Sequence, residues 1–564
     1  MKYLLLLMTI ASLVISWLLP NHYVPWLASH SEFMAFLSAL FLILFFVNNY
    51  KDVKIPVIFL GFLILAIVPI IQYLLGVIYF FGDAFLPLVY ICAFFVVLTI
   101  GYNIAKDLTI KKRIFIGFCY AVLFSSIISV YVSLQQWLLL TTGSIWVAEI
   151  PLNGMPFGNF GQPNTLATLL MLGVICSIYL HEKFIINKLV LIIVLTYLVV
   201  GIALTQSRTV WIAFPLLIIL FIWYGRFTDF RFNAINVSIL SIFYLLFLMG
   251  LPDLSNLLGL TSITSMSERL TTGHNRFYLW QQLILAVMEK PIIGYGWGQV
   301  SVAQVEITPV YGFTEWVTHS HNIVIDFLVW LGIPLGFFVL TLGVLFIGQI
   351  ILSVRFKDSI FALMMVLIVL NHALFEFPLE YSFFLLPVGF LLGFSQQDKD
   401  GLIEISLNRN FVSLVFMISV CLFFYIFQEY RTIEKDVQLA RFELLNIGNV
   451  SARQAAPDVV FLTQLSEQVR FMRTQPRANM TERQLEWMHQ VAYRYATQAA
   501  LFRYAQALAL NDHLELAKKQ LLIIEKLYGK RIPEESLYVV RQSLAFEWES
   551  SSSNSVHSIG NKDE

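Results

Sequence analysis

Residues 186–224 read INKLVLIIVLTYLVVGIALTQSRTVWIAFPLLIILFIWY: two apolar runs, 186–205 and 210–224, separated by a polar turn that ends at Arg208. Crossing the hydrocarbon of a bilayer takes roughly 20 apolar residues of helix, so the stretch reads as two membrane helices joined by a tight turn. Similar runs lie near 3–19, 33–48, 55–75, 79–100, 113–140, 165–181, 234–251, 322–353, 359–376, 379–395 and 411–428. A chain of 564 residues that is 58% hydrophobic and 13% charged, with mean hydropathy +0.75, is not a soluble globular protein. The fold expected is all-α, a polytopic integral membrane protein with about 13 transmembrane helices, within about 12–14 because several runs are short.

The connecting loops give an independent reading, because Lys and Arg accumulate on the cytoplasmic side of a membrane protein. Alternate connections hold Lys2; Lys51 and Lys54; Lys106, Lys111, Lys112 and Arg113; Lys183 and Lys188; Arg226 and Arg231; Arg355 and Lys357; Lys399 and Arg409. The opposite loops hold only Arg208, Arg269, Arg276 and Lys290. This asymmetry predicts a cytoplasmic amino terminus and, with an odd number of spans, a carboxy-terminal part on the outside. The first run after Lys2 lacks a small-residue cleavage site, so a retained anchor is expected rather than a secretory signal. Cys92, Cys119, Cys176 and Cys421 all fall inside spans and suggest no disulfide framework.

The expected division is a transmembrane core over 1–428, a helical domain over 429–549 and a disordered Ser-rich tail over 550–564. After Gln428 the chain carries seventeen basic and seventeen acidic residues, a neutral balance that gives no reason to expect a nucleic-acid partner. Thr481 and Gln484 have capping-box spacing and precede Leu485, Met488, Val491 and Ala492 on one helix face. The run Ala500–Leu510, an Asn511-Asp512 turn, and a second run from Leu516 to Leu527 closed by Gly529 resemble a tetratricopeptide-like unit, with a short helical bundle as the alternative.

The chemistry is expected in the loop over 252–321 and the shorter outer turns around it. Arg208 lies at the edge of hydrocarbon, where an unneutralised guanidinium is costly and an anionic partner is favoured; interface snorkelling is the plainer reading. The aromatics of Arg276-Phe277-Tyr278-Leu279-Trp280 suit a helix on the membrane surface or a lid over a lipid headgroup. Gly294-Tyr295-Gly296-Trp297-Gly298 lacks the strand context and the Lys-Ser/Thr of a phosphate loop. His319-Ser320-His321-Asn322 precedes a run broken at Gly332-Ile333-Pro334, and Pro334 can open a helix, so 322–331 would form a short element holding His321 at the mouth. Two His at i, i+2 could ligate a metal, but no further ligand stands at a telling spacing, and no Asp-x-Asp pair is available for a diphosphate-bound ion. Gln162 and Asn164 occupy a Gly-Gln-Pro-Asn turn that also makes sense as cap chemistry. Glu376, Glu380 and Tyr381 surround the turn Phe377-Pro378-Leu379, where Glu376 could orient a base or simply be solvated.

Taken in order, Phe157-Gly158-Asn159-Phe160-Gly161-Gln162-Pro163-Asn164, Ser207-Arg208, Arg276–Trp280, Gly294–Gly298, His319–Asn322 and Glu376–Tyr381 resemble the PglL-type bacterial O-oligosaccharyltransferases, relatives of the O-antigen ligases and Wzy polymerases. The resemblance covers about 150–395, and the helical domain looks like that group's carboxy-terminal extension; Glu380 stands where an aromatic residue is expected. It implies en bloc transfer of a glycan from a polyprenyl (undecaprenyl) pyrophosphate lipid to Ser or Thr hydroxyls of periplasmic or pilin-like proteins, at the bacterial inner membrane. No cofactor and no metal are implied. His321 would be the general base, with Arg208, Arg276 and Arg269 on the pyrophosphate and Gln162, Asn164, Tyr381, Glu376 and His319 positioning substrate. The alternatives are ligation to lipid A core, Wzy-type polymerisation, and lipid or glycan transport, the last disfavoured by the lack of internal repeats.

Overall fold

The protein is described by a computed structural model covering residues 2–140, 144–149, 155–260, 275–312, 315–396, 401–445, 447 and 455–539. The expected tail over 550–564 and Arg269 lie outside the described residues. Each of the apolar runs falls on a helix: Lys2–Leu18, Ser29–Asn49, Val57–Leu74, Phe81–Lys106, Lys111–Trp137, Pro163–Glu182, Lys188–Thr205, Thr209–Tyr224, Ala234–Leu257, Ile323–Ser353, Lys357–Ala373, Ser382–Ser395 and Arg409–Leu445.

Among the described residues, nine helices are long and apolar enough to cross a membrane, fewer than the thirteen expected. Lys2–Leu18, Thr209–Tyr224 and Ser382–Ser395 are apolar but shorter, and Lys357–Ala373 has 17 residues. At 1.5 Å per residue a 16-residue helix such as Thr209–Tyr224 measures about 24 Å, short of a hydrocarbon core of about 30 Å. The Lys357–Ala373 and Ser382–Ser395 helices are buried over nearly their whole length. Their ends meet protein rather than lipid, so full bilayer length is not required of them.

Small residues let the central helices approach closely. Gly101 of Phe81–Lys106 and Gly393 of Ser382–Ser395 face each other's helix, and a methyl group on either would overlap the other's backbone. Pro163 starts the Pro163–Glu182 helix, which is buried from Thr165 to Glu182 and forms the centre of the bundle. Its far end lies among the lysine-rich loops: Lys357 Nζ is 2.5 Å from Glu182, and Arg231 donates to the His181 carbonyl at 2.7 Å. On that same basic face the strands Asp52–Pro56 and Glu404–Asn408 pair antiparallel, Asp52 opposite Asn408 and Pro56 opposite Glu404. Glu404 bridges Lys54 at 3.3 Å and Lys106 at 2.5 Å.

The 37-residue helix Arg409–Leu445 runs straight through Gln428, so the composition change there marks a change of surroundings along one helix. Beyond it stand Thr463–Arg473, Glu482–Arg494, Gln498–Ala509 and Leu514–Tyr528. Thr481 and Gln484 form a reciprocal capping box, and Leu485, Met488, Val491 and Ala492 are buried. Gly529 stops the last helix in the left-handed conformation, φ 64°. These helices share one apolar core with the helices Asn275–Glu289 and Val300–Ile307 and the first leg of Ile323–Ser353: Leu283, Val300, Val305, Val317 and Trp330 cluster with Met488, Ala505, Ile524 and Leu527. Polar ties fix the docking: Arg494 holds Asp83 through two bonds of 2.9 Å, Thr463 Oγ1 accepts from the Gly82 N–H at 2.9 Å, and Lys526 donates to the Pro309 carbonyl at 2.6 Å.

Candidate active site

The helix Ile323–Ser353 is two helices joined at Gly332, where φ is 72° and ψ 178°. A break inside a bundle frees backbone groups that must find partners. The Val329 carbonyl accepts from the Tyr295 N–H at 2.7 Å. The Trp330 carbonyl accepts from the Gly296 N–H at 3.1 Å and from Gln72 Nε2 at 2.7 Å. The Ile333 N–H donates to the Pro291 carbonyl at 2.7 Å. The Gly294–Gly298 motif thus seals the broken helix. It must run close: a Cβ on Gly294 would lie 2.5 Å from the Gly332 nitrogen, and one on Gly332 would lie 2.5 Å from the Ile292 carbonyl oxygen.

The short leg before the break begins at Asn322, whose Oδ1 caps the Val324 and Ile325 N–H groups at 2.9 and 3.3 Å. His321 immediately precedes it in the left-handed region, φ 56°. That conformation is sparsely populated for a residue with a Cβ and persists only where its surroundings impose it. Here they do. Asp326 accepts from the Ser320 N–H at 2.9 Å, Ser320 Oγ donates to the Asn322 carbonyl at 2.8 Å, Trp280 Nε1 donates to the Ser320 carbonyl at 2.9 Å, and Asn322 Nδ2 donates to the Leu374 carbonyl at 3.1 Å.

The strain aims the imidazole at one buried carboxylate. His321 Nδ1 lies 2.6 Å from Glu376 Oε2, while Glu376 Oε1 accepts from Arg276 and, at 2.7 Å, from Asn164 Nδ2. Asn164 is held in turn by Ser207 Oγ, which donates to its Oδ1 at 2.7 Å. Three elements therefore meet at Glu376, the start of Pro163–Glu182, the helix Asn275–Glu289 and the turn 319–322, and the turn before Thr209–Tyr224 joins them through Asn164. Burial alone would raise the Glu376 carboxyl, but the His321 hydrogen bond and the Arg276 charge outweigh it and hold it below the usual carboxylate value. Ionised Glu376 accepts only, so Nδ1 of His321 carries the proton and Nε2 is the basic nitrogen.

The other expected residues fall around this hub. Arg208 is part-exposed between Lys188–Thr205 and Thr209–Tyr224; burial, then the positive charge of Arg276, pushes its guanidinium below the ordinary value. Two guanidiniums within electrostatic reach of each other favour an anion beside them. Gln162 is the N-cap of Pro163–Glu182, and its Oε1 accepts from Thr165 at 3.3 Å rather than meeting the hub. Asn164 braces Glu376. Tyr381 is the N-cap of Ser382–Ser395, and burial, then the carboxylates of Glu32, Glu376 and Glu380, keep its phenol protonated as a donor. The His319 ring stacks on Phe377 with centroids 4.3 Å apart, and the His321 ring meets the same Phe377 edge-on at 5.3 Å. Burial lowers His319 to about 3, helped by His321 and Arg494, so it is neutral. No group of three or more His, Cys, Asp or Glu among the described residues is placed to hold a metal ion.

Sequence reasoning missed Ser207 as the brace of Asn164, Phe377 as the shared support of both histidines, and Asp326 as the holder of Ser320. Only Asp326 had a visible signal, an acidic residue in the first turn of an apolar run. Nor did the sequence link Gln72 or Asp83 to this region.

Three family descriptions match the chain: "Protein glycosylation ligase" over residues 156–181, "O-Antigen ligase" over 190–341, and "Virulence factor membrane-bound polymerase, C-terminal" over 360–542. A "General O-oligosaccharyltransferase" of Acinetobacter baylyi is 29% identical over 538 residues, covering 94% of this chain and 93% of its own. A "ComP-specific O-oligosaccharyltransferase" of the same organism is 29% identical over 488 residues, covering 84% of this chain and 86% of its own. No solved structure matches significantly. The multi-pass helical architecture and these full-length similarities lead to one conclusion: the chain is a glycosyl-transferring membrane enzyme similar to the PglL-type O-oligosaccharyltransferases.

Proposed function

We propose that the enzyme transfers a preassembled glycan from a polyprenyl (undecaprenyl) pyrophosphate lipid to Ser or Thr hydroxyls of periplasmic or pilin-like proteins. The observation that carries the reading is the meeting of His321, Arg276 and Asn164 on Glu376. His321 Nε2 takes the acceptor hydroxyl proton as that oxygen attacks the anomeric carbon, while the glycosyl–pyrophosphate C–O bond breaks. The electron pair leaves with the lipid pyrophosphate. Glu376 fixes the tautomer and steadies the imidazolium that forms, the part a carboxylate plays in a catalytic triad. Arg276 and Arg208 offer planar, multi-donor neutralisation to the departing phosphates, with Arg269 proposed in support. Tyr381, protonated beside Phe377, and Gln162 position sugar or acceptor, whereas Asn164 acts through Glu376.

In the orientation we propose, thirteen helices lie in the bacterial inner membrane, the lysine-rich face and the amino terminus are cytoplasmic, and the helices after Gln428 form a periplasmic unit over 429–549. A second reading, ligation to lipid A core or O-antigen polymerisation, is favoured by the family descriptions over 190–341 and 360–542. Deleting the gene in its own host distinguishes them. Intact-mass analysis should show a glycan lost from one or more secreted or pilin-like proteins, with lipopolysaccharide unchanged. Loss of O-antigen with protein glycans intact supports the second reading instead.

A further inference from the structure

Two glutamate–histidine pairs flank one phenylalanine. Glu376 and His321 form the closed pair at 2.6 Å. The chain then turns past Phe377 and, four residues after Glu376, presents Glu380 to His319, with Glu380 Oε1 4.0 Å from His319 Nδ1, too far for a direct hydrogen bond. This second pair is open. His319 Nδ1 is buried without a hydrogen-bond partner, while the Glu380 side chain keeps 37% of its surface accessible. A buried polar nitrogen facing an accessible carboxyl across such a gap calls for a ligand group between them.

Resting on the reading above, we propose that Glu380 and His319, supported by Phe377, form an acceptor subsite that hydrogen-bonds the peptide backbone beside the hydroxyl being glycosylated. Three observations favour peptide over glycan or phosphate. First, the Arg276 guanidinium suited to a pyrophosphate is bound to Glu376, the partner of His321, whereas this pair brings a carboxyl and an imidazole together beside Phe377. Second, Arg494, from the helices after Gln428, lies within electrostatic reach of both His319 and Glu380 while it clamps Asp83, so the subsite borders those helices, away from the membrane helices that hold the lipid. Third, the protein packed around its inner part, and then the carboxyls of Asp326 and Glu32 nearby, push the part-exposed Glu380 carboxyl above its ordinary value. With its proton on, it offers an O–H donor beside a C=O acceptor, the complement of an amide's C=O and N–H. Neutral His319 adds one further donor or acceptor. Glu380 is thus a positioning residue for the acceptor.

The test is steady-state transfer by purified full-length enzyme, with polyprenyl-pyrophosphate oligosaccharide as donor and, as acceptor, the Ser/Thr peptide found glycosylated in cells. Losing about one hydrogen bond, Glu380→Ala should raise the acceptor KM about tenfold, with donor KM unchanged. Glu380→Gln keeps a donor and an acceptor and should recover most of the loss. In wild-type enzyme, N-methylating in turn the amides within two residues of the acceptor hydroxyl should raise KM at one position by a similar factor, which tests the idea without any variant. A rise in donor KM instead assigns the pair to the glycan and overturns the proposal, as does an unchanged acceptor KM in every arm. Transfer by the wild type that disappears in His321→Ala keeps the proposed function standing in either event.

Discussion

Glu376→Gln is nearly isosteric, yet each way of placing the new amide fails. Glu376 receives donors on both oxygens, His321 on Oε2 and Arg276 with Asn164 on Oε1. If the new NH2 faces His321, Nδ1 must become the acceptor, the proton moves to Nε2, and the base is lost. If it faces Arg276 and Asn164, three donors meet in a buried site with no acceptor. Hydrogen bonds to a charged group contribute about 1.5–3 kcal/mol, so losing one such bond alone corresponds to roughly a 10- to 100-fold effect. The wrong tautomer in an analogous triad costs about 10⁴-fold. We therefore expect single-turnover transfer to fall about 10²- to 10⁴-fold, with the lipid-linked donor still bound and the thermal midpoint near wild type. The assay is rapid-quench transfer from saturating donor in nanodiscs. A variant within a fewfold of wild type would refute the view that Glu376 sets the His321 tautomer.

Arg276→Lys and Arg208→Lys keep the charge but lose the planar fork, so both should weaken donor binding and transfer; full activity in both reduces them to interface anchors. Gly332→Ala adds a Cβ 2.5 Å from the Ile292 oxygen at φ 72°. It should lower the thermal midpoint and transfer together, by about 1–3 kcal/mol or more, and an unchanged midpoint would contradict the sealed break. Deleting everything after Gln428 strips the partner from the core shared with Leu283, Val300 and Trp330. Donor binding and transfer should then decline together, while intact donor binding would mean that those helices serve the acceptor alone.

The membrane helices were legible because hydrocarbon demands long apolar runs, and all thirteen runs carry a helix. The count of membrane-length helices was not, since Lys357–Ala373 and Ser382–Ser395 are short helices enclosed by others, a property of neighbours rather than of local composition. The break at Gly332 was visible in its Gly-Ile-Pro-Leu-Gly sequence, but its seal by residues 291–296 and Gln72 was not, because those partners lie up to about 260 positions away along the chain. Arg276, His321 and Glu376 drew attention as polar groups at apolar margins. Their convergence could not be read from that signal. Asn164 and Ser207 looked like turn chemistry, and only the folded chain makes them the brace behind the carboxylate.

The central claim is that His321 removes the acceptor proton. The most direct measurement is transfer by His321→Ala, beside His319→Ala, in correctly inserted enzyme with bound donor quantified in the same samples. General-base catalysis typically contributes about 10²- to 10⁴-fold, so His321→Ala should bind donor normally and transfer only a trace, with His319→Ala much milder. Near-normal transfer by His321→Ala, with donor still bound, would contradict the account.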